Sequence, residues 1–249
     1  MIPAWLALLD GILAVVLLAV GVGGAHFFLV TPFLGFQLFL LSVPIAVLAF
    51  LAGALGLIRT RAEARRAGRP LALAGTILGL GVAAPLAVII FSWMSMTAPP
   101  INDITTDFDN PPQFVKPPDM SPAAMTYKRN YFAPKQSAGY GKLDPAHVDE
   151  KPDDAFARTK GVAASMPGWQ IVYVDPASRT VEGTQRSNLF RFCDDFVIQV
   201  RPAPDGSGSL VEMRSRSRDG EGDFAVNYNR IEGFFAALKR QKSQTAAQS

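Results

Sequence analysis

Residues 209–218 read SLVEMRSRSR. Val211, Met213, Ser215 and Ser217 alternate with Glu212, Arg214, Arg216 and Arg218. This is the period of two of a β-strand, which sends successive side chains to opposite faces of a sheet. One half of the pattern is apolar or small and the other half is charged. One face is therefore expected under a layer of helices and the other in water. Upstream, FCDDFVIQVRP (192–202) is a second strand-like run, closed by the turn PDGSGS. WQIVYVD (169–175) and SRTVEGTQRS (178–187) are two more, joined through DPAS. Short polar turns between consecutive strands imply an antiparallel meander. A helix is expected on each side of it. DDAFARTKGVAASM (153–166) has acidic residues in its first turn, and FAVNYNRIEGFFAALKR (224–240) lines up Phe224, Tyr228, Ile231, Phe234, Phe235 and Leu238 on one stripe. The simplest architecture is α+β: a four-stranded antiparallel meander with two helices on one face.

The other half of the chain has a different composition. Residues 1–97 hold only seven charged side chains: Asp10, Glu63, Arg59, Arg61, Arg65, Arg66 and Arg69. Three apolar runs, at roughly 11–30, 34–58 and 71–95, each reach the ~20 residues that a membrane-spanning helix needs. Backbone groups in lipid must be satisfied within the segment, so helices are expected. The first run lacks the basic start and the small-residue cleavage site of a secretory signal. All five arginines fall in the loop between the second and third runs. The positive-inside rule puts that loop and the amino terminus in the cytoplasm, and residues 98–249 outside it, in a periplasm if the cell has one. Asp10 is read as the cap of a helix starting at Gly11, with Trp5 at the interface. Gly75 and Gly79 form a G-x-x-x-G pair suited to close helix packing. A histidine at position 26, alone in its run, reads as an interface residue.

Between the two halves lies a proline-rich stretch. Residues 98–147 hold nine prolines, yet also Ile101, Ile104, Phe108, Phe114, Tyr127, Tyr131 and Phe132. Prolines keep such a chain extended, and a flexible linker would be poorer in aromatics. An ordered strap is expected. Within it INDITTDFDNPP (101–112) carries Asn102, Asp103, Thr106, Asp107, Pro111 and Pro112. Calcium would need a closing glutamate and a regular run of oxygen ligands, and the spacing offers neither. Asp, Asn and Thr fixing turns through nearby amides explain the same residues. The expected divisions are thus a membrane domain (1–97), the strap (98–147), a soluble domain (148–241) and a disordered tail (242–249).

Charge and cysteine usage exclude several functions. Residues 98–249 hold nineteen Lys plus Arg and nineteen Asp plus Glu, so the basic balance of the whole chain comes from the loop. Nucleic-acid binding would need a basic patch on the folded domain. One cysteine, Cys193, and two histidines, His26 and His147, leave no recognisable zinc or Cys–His motif. No cofactor and no metal are expected.

One constellation remains: Asp194, Asp195, Arg214, Arg216, Arg218, Asp223, Asn227 and Arg230. Adjacent Asp194 and Asp195 must point to opposite faces. The three alternating arginines are expected on the face away from the helices, with one or two of their charges unanswered. Asp223 suits a helix cap. Three uses stay open for this group: a solvent-facing salt-bridge ladder, a site for an anionic ligand or partner, and catalysis. The last is disfavoured because flanking arginines depress carboxylate pKa values, which suits a general acid poorly.

Three stretches together, NDITTDFDNPPQF, FRFCDDFVIQVR and SRDGEGDFAVNYNRI, resemble the domain-of-unknown-function-1499 family of bacteria and chloroplasts. The matching positions are Asn102, Thr106, Pro111, Pro112, Asp194, Asp195, Ser217, Arg218, Gly220, Asp223, Asn227 and Arg230. Ala225 departs from the resemblance, which implies glycine there. The resemblance covers most of 101–238, and the apolar helices are similar to an amino-terminal extension of some members. It implies a fold and its boundaries, and carries no activity. The expected function is a membrane-anchored, non-enzymatic accessory or assembly protein that contacts another protein in or near the membrane, or anionic lipid. The alternatives are a module binding a lipid or small amphiphile, and a hydrolase built on the Asp/Arg cluster.

Overall fold

The computed structural model describes residues 2–60, 68–116 and 125–246. Arg61, Glu63, Arg65, Arg66, Pro117 and Pro118 lie outside the described residues, as do positions 247–249. The chain forms two compact units. The first is 1–96 with Ser187–Arg191, and the second is the rest.

The first unit contains three helices: α1 (Ile2–His26), α2 (Pro32–Arg59) and α3 (Arg69–Met94). All three are long and apolar enough to cross a membrane. Thr31 caps α2, its hydroxyl accepting the Leu34 N–H at 3.3 Å, and Pro32 follows as the first helical residue. Small residues let the backbones approach. A Cβ on Gly75 would lie 2.5 Å from the Ala7 carbonyl oxygen, and one on Gly79 would lie 2.5 Å from that of Ala46. Both glycines of the G-x-x-x-G pair therefore serve packing within the bundle. In the same unit Phe190 is buried, with its ring 5.4 Å from Phe36 and 5.3 Å from Phe39. The His26 ring lies 3.0 Å from the Asn188 carbonyl oxygen through Nδ1.

The cap role expected for Asp10 is overturned. The first helix begins at Ile2, so Asp10 lies inside it, partly buried. Pro3 lies in the first turn, where its missing N–H has no helical partner to lose, and no breaker follows from Ala4 to Leu9, so the helix extends back through the run.

The second unit holds six strands and three helices among its described residues: β1 (Asp103–Thr105), α4 (Arg129–Tyr140), β2 (Ala146–Val148), α5 (Pro152–Ser165), β3 (Trp169–Asp175), β4 (Thr180–Arg186), β5 (Cys193–Pro202), β6 (Ser209–Ser217) and α6 (Val226–Ala246). The last helix runs past the expected boundary at 241. The meander β3-β4-β5-β6 forms as expected, but the sheet has six strands. β1 pairs antiparallel with the end of β6, Asp103 opposite Arg216 and Thr105 opposite Arg214. β2 pairs antiparallel with its start, Ala146 opposite Val211. The strap thus supplies a broken edge strand along β6. Its physical reason is that β6 without β1 and β2 would present a row of unpaired N–H and C=O groups. β1 is in turn protected by α4, where Gln136 accepts the Thr105 N–H at 3.1 Å and donates to the Thr105 carbonyl at 2.8 Å.

Register sorts the side chains into two layers. Val211 and Met213 of β6, Phe196, Ile198 and Val200 of β5, and Val181 of β4 share a core with Phe156 and Val162 of α5 and Ile231, Phe234 and Leu238 of α6. Trp169 packs here against Phe196, the rings tilted by 39° with centroids 4.0 Å apart. The opposite face carries Glu212, Arg214 and Arg216 beside Asp195 and Val197. Both faces of this sheet are covered.

Candidate functional site

The expected constellation is brought together at one end of the sheet, in two groups on opposite faces. On the helix face, Asp194 accepts from Arg230 of α6 at 2.5 Å. Arg230 also donates to Gln185 Oε1 at 2.8 Å, to Ser215 Oγ at 2.8 Å and to Asn227 Oδ1. Ser215 donates to Asn227 Oδ1 at 2.7 Å, and Asn227 Nδ2 donates to Ser217 Oγ at 2.9 Å and to the Asn102 carbonyl at 3.3 Å. The small polar half of the β6 alternation, Ser215 and Ser217, thus receives the first turn of α6. Asp223 is the cap that the sequence implies: its carboxylate accepts the Asn227 N–H at 2.7 Å and the Ala225 N–H at 3.1 Å. Ala225 has φ 66°, in the left-handed region, which is why glycine suits that position.

On the other face, Arg214 forms a forked pair with Asp103, Nε to Oδ1 at 2.9 Å and Nη2 to Oδ2 at 2.8 Å. Its Nη1 donates to the Met125 carbonyl at 2.8 Å. Its guanidinium carbon lies 5.1 Å from the Phe114 ring centre and 5.3 Å from that of Tyr127. Both side chains of the ion pair are 0% exposed. Arg216 approaches the same carboxylate at 3.7 Å. Arg218 forks onto Asp195, both bonds 2.8 Å. Farther along, Glu182 of β4 accepts the N–H of Lys116 at 3.1 Å and that of Val115, holding the strap down. Lys116 sits over the Tyr173 ring.

These contacts correct the expected solvent-facing arginine row. The face is the one expected, away from α5 and α6, and Asp194 and Asp195 do diverge. But residues of the strap cover that face, and Asp103, 111 positions before Arg214, answers both Arg214 and Arg216. Asp103 is therefore an ion-pair partner within a strand, where a turn-fixing role was expected. The turn role belongs to Asp107, whose carboxylate accepts the N–H groups of Asp109 at 2.8 Å and Asn110 at 3.0 Å. Thr106 extends the β1 pairing, its hydroxyl accepting the Met213 N–H at 3.0 Å. Asn102 donates to the Gly220 carbonyl at 2.6 Å. Pro111, Pro112 and Phe114 are buried.

The electrostatics also depart from the expected depressed carboxylates. Burial pushes Asp195 up despite Arg218, and pushes Asp223 up despite its amide bonds. Glu182 is raised by burial against the pull of its two strap amides. Glu212 is raised by burial to about 7, with Arg201 opposing and Asp107 adding to the shift. Arg201 Nη1 stands 3.1 Å from Glu212 Oε2, but that oxygen lacks a well-aligned hydrogen bond. The charge contact is therefore weaker than its distance suggests. Burial likewise raises the Cys193 thiol, the opposite of a reactive cysteine.

A further pairing had no sequence signal, because its members lie 60 positions apart. His147 Nε2 is 3.0 Å from Ser207 Oγ, and His147 Nδ1 is 4.0 Å from Asp149. The order resembles a nucleophile, base and orienter. The hydroxyl of Ser207, however, donates to Asp205 at 2.6 Å. Its one hydrogen is engaged there, so His147 is the donor toward Ser207 and the serine is not activated. No group of three or more metal-ligating side chains is found among the described residues.

The elements define a class: three apolar helices joined to an α+β domain whose sheet is covered on both faces and whose strap is part of the sheet. Residues 103–238 match the family described as "Protein of unknown function (DUF1499)", and the chain belongs to that family. The match starts where β1 starts, so the family unit includes the strap. No curated protein matches, and no solved structure does.

Proposed function

We propose that the protein is a membrane-anchored accessory or assembly factor that acts by binding another protein, without catalysis of its own. The observation that carries this reading is the mutual saturation of the polar cluster. Arg214 is paired with Asp103, Arg218 with Asp195 and Arg230 with Asp194, with the first pair fully buried. Catalytic groups need a free face toward a substrate, and these face one another. The same pairs tie strap, sheet and α6 into one rigid platform, which suits a surface presented to a partner. In this reading the loop flanked by Arg59 and Arg69 is cytoplasmic and the domain lies outside, periplasmic in a cell with two membranes.

Two experiments test it. Reporters fused after Ser249 give the side: a periplasmic reporter is active there, and an active cytoplasmic one with a silent periplasmic one overturns the orientation. Isolation of the tagged full chain from its native membranes in mild detergent recovers one companion protein in near-equal amount. Recovery of the chain alone, or turnover of an ester or phosphoester that Asp195→Asn abolishes, overturns the accessory role.

A further inference from the structure

The strap turns over a buried acid as it leaves β1. Thr105 stands opposite Arg214. The next residue, Thr106, donates its N–H to the Met213 carbonyl and accepts the Met213 N–H on its hydroxyl, both at 3.0 Å. The ladder therefore brings Asp107 up to Glu212. Glu212 is 3% exposed, and its Oε2 has no aligned hydrogen bond from the described residues. A buried carboxylate in that state is costly, and a carboxyl that keeps its proton is much less so.

The neighbours make ionisation harder. Asp107 holds the turn 107–110 by accepting the Asp109 and Asn110 amides, and its negative charge acts directly on Glu212. Arg201 Nη1 stands 3.1 Å from Oε2, but the guanidinium is turned elsewhere. Its Nε and Nη2 donate to Gln199 Oε1 at 3.1 and 2.7 Å, and Nη2 also donates to the Asn110 carbonyl at 3.3 Å. Arg201 thus fastens the same turn to β5. The remaining charged or titratable groups on this side are engaged with other partners. Arg214, two residues along β6, is forked onto Asp103. His147 of β2, opposite Leu210, is bonded to Ser207. Lys142, near Asp107, pairs with Asp144 at 2.7 Å.

We propose that Glu212 is a proton-operated latch for the turn 107–110: protonated, it lets Asp107 and Arg201 close the turn over it, and ionised, it drives the turn open. Opening lets water reach Oε2 and separates two like charges, while β1 stays paired with β6 and with Gln136. The direction of titration agrees with this geometry. Burial and Asp107 raise the carboxyl from 4.5 to about 7 against Arg201, so the closed turn holds the proton more tightly than an open, hydrated one. Closure is therefore complete at low pH and is lost as pH rises. The open fraction grows about tenfold per pH unit between about pH 5 and 7 and levels off above. The latch lies within the second unit and is independent of the protein-binding role proposed above.

The test is amide hydrogen exchange, read by NMR on the full chain in detergent from about pH 5.5 to 8 and corrected for the intrinsic rate at each pH. Protection of the Asp109 and Asn110 amides falls about tenfold or more across that range. The Thr105 amide, bound by Gln136, keeps its protection and reports that the sheet stays folded. Glu212→Gln keeps the turn protected throughout. Asp107→Asn retains the turn's acceptor oxygen, removes the like charge and moves the opening to higher pH. His147→Gln leaves the profile unchanged. Constant protection at 109 and 110, an equal fall at Thr105, or a fall that persists in Glu212→Gln overturns the latch. Loss of the fall in His147→Gln assigns it to the histidine and overturns it too.

Discussion

Replacing Arg214 by alanine separates a buried structural pair from an exposed binding residue. If Arg214 stood on a solvent face, the loss would be at most about 1 kcal/mol. In the fold it is 0% exposed, forked onto an equally buried Asp103 and covered by Phe114 and Tyr127. Arg214→Ala leaves the Asp103 carboxylate buried, with Arg216 at 3.7 Å as the remaining cation beside it among the described residues. Removing one member of a buried pair costs about 3–5 kcal/mol. For a domain of this size that is a fall in Tm on the order of 10 °C. Trp169 reports the domain alone if Trp5 and Trp93 are changed to phenylalanine, because its ring packs on Phe196 and Phe234. Thermal melts in detergent then give the shift. Arg214→Met combined with Asp103→Leu recovers most of the loss, since apolar groups of similar volume replace such pairs at little cost. A drop under about 1 kcal/mol for Arg214→Ala, or no recovery in the double variant, would refute the reasoning.

Three more outcomes are expected. The raised carboxyl of Glu212 binds its proton more tightly in the folded state, so its contribution is full below about pH 4.5 and is lost as pH rises to about 7. Urea midpoints of the full chain fall across that window by on the order of 2 kcal/mol, and Glu212→Gln flattens the fall; an unchanged slope counts against it. Ala225→Gly relieves a left-handed alanine at φ 66° and raises stability by up to about 1 kcal/mol, read as a higher Tm. Gly183→Ala puts a Cβ against the Phe196 ring and 2.8 Å from the Gln170 carbonyl, and lowers stability by about 1–3 kcal/mol in the same melts.

The legible part of the fold is the part with a sustained period. The three apolar runs, the strands of the meander and both flanking helices lie within a few residues of their expected ends, except the start of the first span and the end of the last helix. β1 and β2 are three residues each, too short to establish an alternation. α4 contains Pro134 and Gly139, which read as breakers. It forms because Phe132, Ala133 and Gln136 are buried, and Gln136 binds both backbone groups of Thr105. In the site, alternation gave the face of Arg214 correctly and its environment incorrectly. A strand shows two faces to its reader, but not which layers lie over them. The missing layer was the strap, whose Asp103 and Glu182 contacts are long-range and carry no local pattern.

The strap's position in the sheet makes a prediction about where the domain can be cut. A fragment starting at 148 keeps the meander and both helices, but removes Ile101, Ile104, Phe132 and Leu143 from the core they share. It loses β1, so the backbone of Arg214–Arg216 has no partner on that side. It loses most of β2 and the cover of Phe114 and Tyr127, and it leaves Arg214 without Asp103. Glu182 likewise loses the amides of Val115 and Lys116, and a carboxyl already raised by burial loses its only opposing contacts among those named. One uncompensated buried arginine costs about 3–5 kcal/mol, against a total stability of about 5–15 kcal/mol for a domain, before the exposed edge is counted. Residues 98–249 should therefore give a dispersed amide NMR spectrum, and residues 148–249 a collapsed one or aggregation. A dispersed spectrum from 148–249, with Trp169 emission matching the longer fragment, would mean that the strap is a tether laid on a finished domain. Its strand pairing and its ion pair with Arg214 would then be incidental to the fold.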